Sequence, residues 1–170
     1  MAVGLLLRRP AEQAAGSLLY TAMGFFVTAL VLIISVYVSP VRRKKLVTSR
    51  EAVLTGLFQG AAVFPGVSRL GMVMAAAELQ GLPAGFGVYT GYLLVFPAVF
   101  GGLIVEIIAG ASSGSGTAVS TGAWIAGIAA STLTSALMMR RTARFLARSG
   151  KRGFALYCLA AGIFALALYL

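Results

Sequence analysis

The sequence has no histidine, a single cysteine and only four acidic residues in 170. Each shortage removes a kind of chemistry. Without histidine there is no histidine-based catalytic triad, and without a cysteine cluster there is no His/Cys metal site within the chain. Cys158 alone cannot form an intrachain disulfide, and inside an apolar span it reads as a small packing residue. The acids are Glu12, Glu51, Glu78 and Glu106, and no two of them form a carboxylate pair at helical spacing. Charged residues amount to 11% of the chain against 59% hydrophobic, with a mean hydropathy of +0.95. A soluble domain is about a quarter charged, so most of this surface must face something other than water.

What is present fits a bilayer. A spanning helix needs about 20 apolar residues, and Ser17–Val38, Phe86–Ala109, Ala118–Met139 and Gly153–Leu170 qualify. The net charge of +10 does not point to nucleic acid, because eleven of the fourteen basic residues fall in two short loops. Arg42, Arg43, Lys44, Lys45 and Arg50 fill one; Arg140, Arg141, Arg144, Arg148, Lys151 and Arg152 fill the other. Basic loops between apolar spans set topology and meet anionic lipid. Residues 1–16 read as a short amphipathic lead-in, not as a cleavable signal peptide. Gly110–Gly116 reads as an uncharged flexible loop. Gly127, Ser131 and Ser135 form a small-residue row that lets a neighbouring helix approach.

The segment Glu51–Leu82 is different. It is apolar, but Pro65 and Gly66 interrupt it and leave two arms of roughly 20 Å, each too short to cross alone. It is either one broken helix that crosses or a re-entrant hairpin that enters and leaves on one side. A re-entrant hairpin puts both basic loops on the same face, as the positive-inside rule requires. Residues 1–170 are therefore expected to form a single all-α polytopic membrane domain. Its expected parts are spans at 17–38, 86–109, 118–139 and 153–170 and a re-entrant hairpin at 52–82, about four to five transmembrane helices in all.

Non-helical backbone at membrane depth often marks a polar-ligand site. Arg69 is the only basic residue inside an apolar segment, and burying it costs about 2.5–3.5 kcal/mol unless something offsets the charge. No acid is its neighbour in sequence. Ser68 suits an N-cap, with a helix restarting near Leu70. Free backbone N–H groups and the positive end of the helix dipole would then lie beside a guanidinium able to grip a phosphate at two oxygens. Gly71 would allow close backbone approach. A structural kink, with Arg69 bonded to loop carbonyls and Ser68 merely capping, is the alternative.

The stretch Gln59-Gly60-Ala61-Ala62-Val63-Phe64-Pro65-Gly66-Val67-Ser68-Arg69-Leu70-Gly71 resembles the second signature of the undecaprenyl-diphosphate phosphatase family, also called bacitracin-resistance proteins. That signature reads Pro-Gly-x-Ser-Arg-Ser-Gly after a Gln-Ala or Gln-Gly step. Gly91-Tyr92-Leu93-Leu94-Val95-Phe96-Pro97 looks like the family's Ser-Phe-Leu-Leu-x-Ile-Pro stretch, and Phe154-Ala155-Leu156-Tyr157 like its C-terminal Phe-x-x-Tyr. The resemblance implies inverted repeats, with two re-entrant hairpins meeting at a buried site in the plasma membrane. It also implies hydrolysis of a polyprenyl diphosphate to the monophosphate with a divalent cation, Mg²⁺ or Ca²⁺, in recycling of the lipid carrier for cell-wall biogenesis. Arg69 matches the phosphate clamp and Ser68 the motif serine, a nucleophile or a positioning group. Gln59, Pro65, Gly66, Gly71 and Thr90 are the expected substrate-binding positions.

The sequence departs from the family at three places. Leu70 replaces a second motif serine. Gly91 replaces a serine in the next helix, with Thr90 adjacent. The family's N-terminal third, with paired glutamates, a Ser-Ser-Thr turn and a histidine, has no counterpart in these residues. The expectation is a phosphatase-like hydrolase that is truncated or completed by a second chain or a homo-oligomer. The alternative is a non-catalytic protein that binds or translocates a polyprenyl phosphate. The basic loops make the topology testable: cysteine placed at Ser113 should label only from outside the cell, and cysteine at Lys44 or Arg148 only from inside. Labelling of 44 and 148 from opposite faces rules out re-entrance.

Overall fold

In hydrocarbon a segment must satisfy its own backbone, and a helix does so residue by residue. The computed structural model describes residues 8–38, 47–113, 120–146 and 151–170. Among these residues there are seven helices and no strand: α1 (Arg8–Ala15), α2 (Leu18–Val38), α3 (Ser49–Ala61), α4 (Arg69–Leu79), α5 (Ala84–Ser113), α6 (Thr121–Phe145) and α7 (Lys151–Tyr169). Four of them, α2, α5, α6 and α7, are long and apolar enough to span a membrane. The chain is an all-α polytopic membrane protein.

Two helices outrun the apolar windows. α5 continues through Ser113 and takes in the first part of the expected loop; the rest of that loop lies outside the described residues. α6 continues past Met139 to Phe145, carrying the exposed Arg140, Arg141 and Arg144. A helix need not stop where its apolar run stops, because long cationic side chains reach for the interface. Of the basic-loop residues, Arg42, Arg43, Lys44, Lys45 and Arg148 lie outside the described residues.

α2 and α7 pack antiparallel. Gly162 meets the Phe26 ring at one level, and the Arg152 guanidinium carbon lies 6.0 Å from the centre of the Tyr37 ring at another. α4 lies against this pair, and every residue from Gly71 to Glu78 is buried. A helix apolar on all sides has no face to give to lipid or water. One side of α4 joins Leu32 and Ala155 through Ala75; another joins Val88 and Leu146 through Met74.

α3 and α4, 13 and 11 residues long, form the two arms of a helical hairpin. Just past the end of α4 the Gln80 side-chain amide donates to Thr55 Oγ1 at 3.2 Å, so that end lies beside the middle of α3. Lys151, the first residue of α7, pairs with Glu78 at the same end. The antiparallel packing brings the end of α2 there too. Gly81, at φ +79°, ends α4: its amide and that of Leu82 bond back to the Glu78 and Ala77 carbonyls at 2.8 and 2.9 Å, the usual glycine stop.

The tip of the hairpin lies against the middle of α2. Thr28, which touches it, is about 15 Å from each end of that helix. Contact is backbone on backbone. A Cβ on Gly24 would collide with the Pro65 carbonyl oxygen, and a Cβ on Gly66, at φ +80°, would collide with that of Thr21. Gly24→Ala and Gly66→Ala should each destabilise by at least the roughly 1–3 kcal/mol of an overpacked core. Gly56→Ala in α3, whose added Cβ meets nothing within 4 Å, should be neutral or stabilising by up to about 1 kcal/mol. Thermal melts in detergent read the difference, and a Gly24→Ala variant that melts like the parent would show that the tip is not seated on α2.

Candidate functional site

The tip unwinds in steps. The Ala62, Val63 and Phe64 amides bond back to the Gln59, Gly60 and Ala61 carbonyls, and the Val67 amide to the Phe64 carbonyl at 3.2 Å. The left-handed Gly66 then reverses the chain. Ser68 caps α4: its Oγ accepts from the Gly71 amide at 3.2 Å and its carbonyl from Met72 at 2.9 Å. The Ser68 amide itself points away from α4 and donates to Thr28 Oγ1 at 3.0 Å. This cap is the one expected from the sequence, with the helix starting at Arg69.

Two donors remain at the helix start. The Arg69 and Leu70 amides have no intrahelical acceptor, because the i−4 carbonyl they would need lies outside the helix. The dipole adds partial positive charge at that point. Arg69 is half-buried, and its Nε donates to the Ala62 carbonyl at 3.5 Å, a long bond. That bond belongs to the kink reading, but it uses one of five guanidinium donors. The Nη edge, the one that forks onto two oxygens, is not committed by it. Ser68 Oγ spends a lone pair on Gly71, so its own hydrogen is available to donate to an anion.

The other expected site residues fall into place differently. Pro65 and Gly66 build the tip. Gly71 is buried, and a Cβ there would sit 3.2 Å from Ser68 Oγ and 3.3 Å from the Phe154 ring; its small size serves packing around the cap. Gln59 donates its side-chain amide to the Leu94 carbonyl at 2.8 Å. That carbonyl lies in α5 three residues before Pro97. Gln59 thus ties the hairpin to α5. Thr90 is half-buried on α5 beside Gly91. A Cβ on Gly91 would come within 2.5 Å of Leu70 Cδ1, so the two departures Leu70 and Gly91 pack against each other as knob and hole.

Neither Glu51 nor Glu78 reaches this place. Glu51 and Glu78 are each only 5% exposed. The Glu51 carboxylate accepts from the Thr48 amide at 2.7 Å and caps α3. Glu78 is held by Lys151, and it sits nine residues along α4 from Arg69, about 13 Å away. Among the described residues no group of three or more His, Cys, Asp or Glu converges. Mg²⁺ and Ca²⁺ need several oxygen ligands together, so the described donors do not fit a divalent cation. Sequence reasoning missed Thr28 and Gly24; a small residue and a hydroxyl four apart in a span were the available signal.

A family profile described as Bacitracin resistance protein BacA matches residues 1–164. Among similar curated proteins is an undecaprenyl-diphosphatase of Korarchaeum cryptofilum, 28% identical over 98% of this chain and 61% of that protein. The undecaprenyl-diphosphatase of Methanothermobacter thermautotrophicus is 30% identical over 86% of this chain and 83% of its own length. Undecaprenyl-diphosphatase 3 of Bacillus cereus is 30% identical over 74% of this chain and 49% of itself. The chain thus spans about half the length of most of these relatives, and the Methanothermobacter protein is the shorter exception.

The position of Glu78 generates a test. Glu78→Gln leaves the Lys151 ammonium without its counter-charge and should cost about 3 kcal/mol of stability, read as a lower melting temperature in detergent. Glu78→Gln/Lys151→Met should recover most of it. Neither change should alter binding of a polyprenyl diphosphate below the melting range; a loss of binding in the folded double variant would put Glu78 in the site.

Proposed function

The chain belongs to the bacitracin resistance protein BacA family, and from that premise we propose that its hairpin tip binds the headgroup of a polyprenyl diphosphate in the plasma membrane as one half of an undecaprenyl-diphosphatase site. The observation that carries this reading is Arg69: a guanidinium near the middle of the α2 span, with no carboxylate partner among the described residues, beside the N-terminus of α4. A diphosphate supplies the missing negative charge. Its oxygens meet the Nη fork, the Arg69 and Leu70 amides and the Ser68 hydroxyl. The shared location of the hairpin base and the start of α7 supports re-entry from the basic side.

Hydrolysis breaks the P–O–P anhydride with water and releases inorganic phosphate, leaving the lipid monophosphate. Charge develops on the oxygens of the transferring phosphoryl group, and fixed donors stabilise it there. That is the part Arg69 and the tip amides perform. Ser68 serves as a positioning group in this reading: its Oγ is held as the α4 cap by the Gly71 amide, and neither Glu51 nor Glu78 is placed to take its proton. Among the described residues neither a base for the attacking water nor a set of metal ligands stands beside Arg69, so we assign both to an acid-bearing segment or a second chain. A homodimer adds another Arg69 but no paired acids. The second reading, a non-catalytic binder or carrier of polyprenyl phosphate, draws on the same lack of acids near Arg69. Against it, the Methanothermobacter relative, which this chain covers to 83%, carries the phosphatase name.

The purified chain in detergent with Mg²⁺ or Ca²⁺ should bind polyprenyl diphosphate yet release little phosphate over time. A fragment bearing a Glu-x-x-x-Glu segment and a Ser-Ser-Thr turn should restore release. Arg69→Lys should weaken binding about tenfold or more, because an ammonium lacks the fork, with little change in melting temperature. Arg69→Leu that binds as well as the parent and merely melts higher would establish the kink instead. Robust release by the isolated chain, abolished in Arg69→Ala, would overturn the half-site.

A further inference from the structure

Thr28 has no place in the chemistry so far, yet it is a polar side chain with no exposure at all. Its hydroxyl donates to the Gly24 carbonyl at 3.0 Å, with the Gly66 carbonyl at 3.4 Å, and accepts from the Ser68 amide at 3.0 Å. A threonine bonded back to the carbonyl four residues earlier is ordinary in membrane helices and implies nothing. The third contact is different. It joins α2 to an amide forty residues away, on the residue immediately before Arg69.

We infer that Thr28 is a positioning residue for the headgroup site: its hydroxyl fixes the Ser68 peptide so that the Ser68 cap and the Arg69 fork face the same anion. This rests on the headgroup reading given above. The geometry leaves little slack. A hydroxyl has one hydrogen and two lone pairs; the hydrogen is committed to Gly24, so a lone pair faces the Ser68 amide. With that amide turned toward α2, the next two, of Arg69 and Leu70, are the ones left at the helix start. Thr28 is fully buried, so no bulk water stands beside it to replace the oxygen. Without it the Ser68 amide is orphaned, and the peptide plane preceding Arg69 is free to rotate. The seat of the tip does not depend on Thr28, because Gly24 and Gly66 make their close contact through backbone atoms. Orientation and seating are thus carried by different residues and can be separated.

The test compares Thr28→Val, which keeps the shape and removes the oxygen, with Thr28→Ser, which keeps the oxygen, and with Arg69→Ala. Affinities for polyprenyl diphosphate and polyprenyl monophosphate are measured on the full chain in detergent. Thr28→Val should lose about tenfold in diphosphate affinity, about 1.4 kcal/mol. Its preference for diphosphate over monophosphate should shrink, since register along two phosphoryl groups is what the turn sets. Thr28→Ser should restore both to within about threefold, a range worth less than ~1 kcal/mol. If Thr28→Val does not fold, Thr28→Cys takes its place, filling the same space with a poor acceptor. Parent-like binding and preference in Thr28→Val, or equal losses in Thr28→Val and Thr28→Ser, overturn the inference. Parent-like binding in Arg69→Ala overturns the headgroup reading beneath it.

Discussion

Unwound backbone at the depth of a bilayer must find a partner for every N–H and C=O within the protein, since hydrocarbon offers none. The tip of the α3–α4 hairpin lives under that constraint. Its amides turn back on the last carbonyls of α3, and its capping amide is taken by Ser68 Oγ. The Ser68 amide goes to Thr28 on another helix, and the Arg69 and Leu70 amides are left at the helix start for whatever meets it. For Thr28 to reach, the two backbones must touch, and so neither Gly24 nor Gly66 can carry a side chain. The pairing of α2 with α7 then provides a firm wall behind the tip, and the burial of α4 follows from being pressed into that wall.

The same constraint sorts the charges. At the base of the hairpin, Glu78 meets Lys151, Gln80 meets Thr55 and Glu51 caps α3. Even there the match is incomplete, because Glu78 Oε2 and Gln80 Oε1 are buried without a recorded partner. Such acceptors cost free energy wherever they lie, but near the interface a water can be reached more readily than at the tip. At the tip a single guanidinium sits with its nearest negative charge on the same helix about 13 Å away. Glu51 and Glu78 serve the open end of the hairpin, and among the described residues no carboxylate pairs with the cation where it turns.

What the sequence made legible was local. Apolar runs of spanning length correspond to α2, α5, α6 and α7, and the Pro65–Gly66 break falls between α3 and α4, because both depend only on near neighbours. Ser68 announced its cap for the same reason. Thr28 and Gly24 were invisible within the first span, since their meaning depends on a segment forty residues away. The small-residue row that stood out, Gly127–Ser131–Ser135, stays exposed on α6, where Gly127 and Ser131 help line an open groove of about 270 Å³. The pair that does seat a neighbour is Gly24 and Thr28, at the same spacing of four. Spacing shows that a helix could be approached; register alone decides which one is.

The joint between Leu70 and Gly91 carries this one step further. Read along the sequence, a leucine where the family motif has serine and a glycine where it has another serine look like two separate losses of polar groups from a site. In space they are one exchange. The leucine fills the hole that the glycine leaves, with Val73 beside it. A serine at 91 would press its Cβ into the leucine, while a serine at 70 would leave a gap under Gly91 at a cost near that of a large-to-small core change, roughly 2–5 kcal/mol. Each change is tolerable only with the other. The first turn of α4 is thereby packed dry on its α5 side, which leaves the Arg69 fork, the two end amides and the Ser68 hydroxyl as the polar groups that face whatever enters. An apolar wall behind a cation strengthens its pull on an anion, because less water screens the pair. On the headgroup reading proposed above, the departures from the family signature remove hydroxyls from the site and leave its cation and end amides in place.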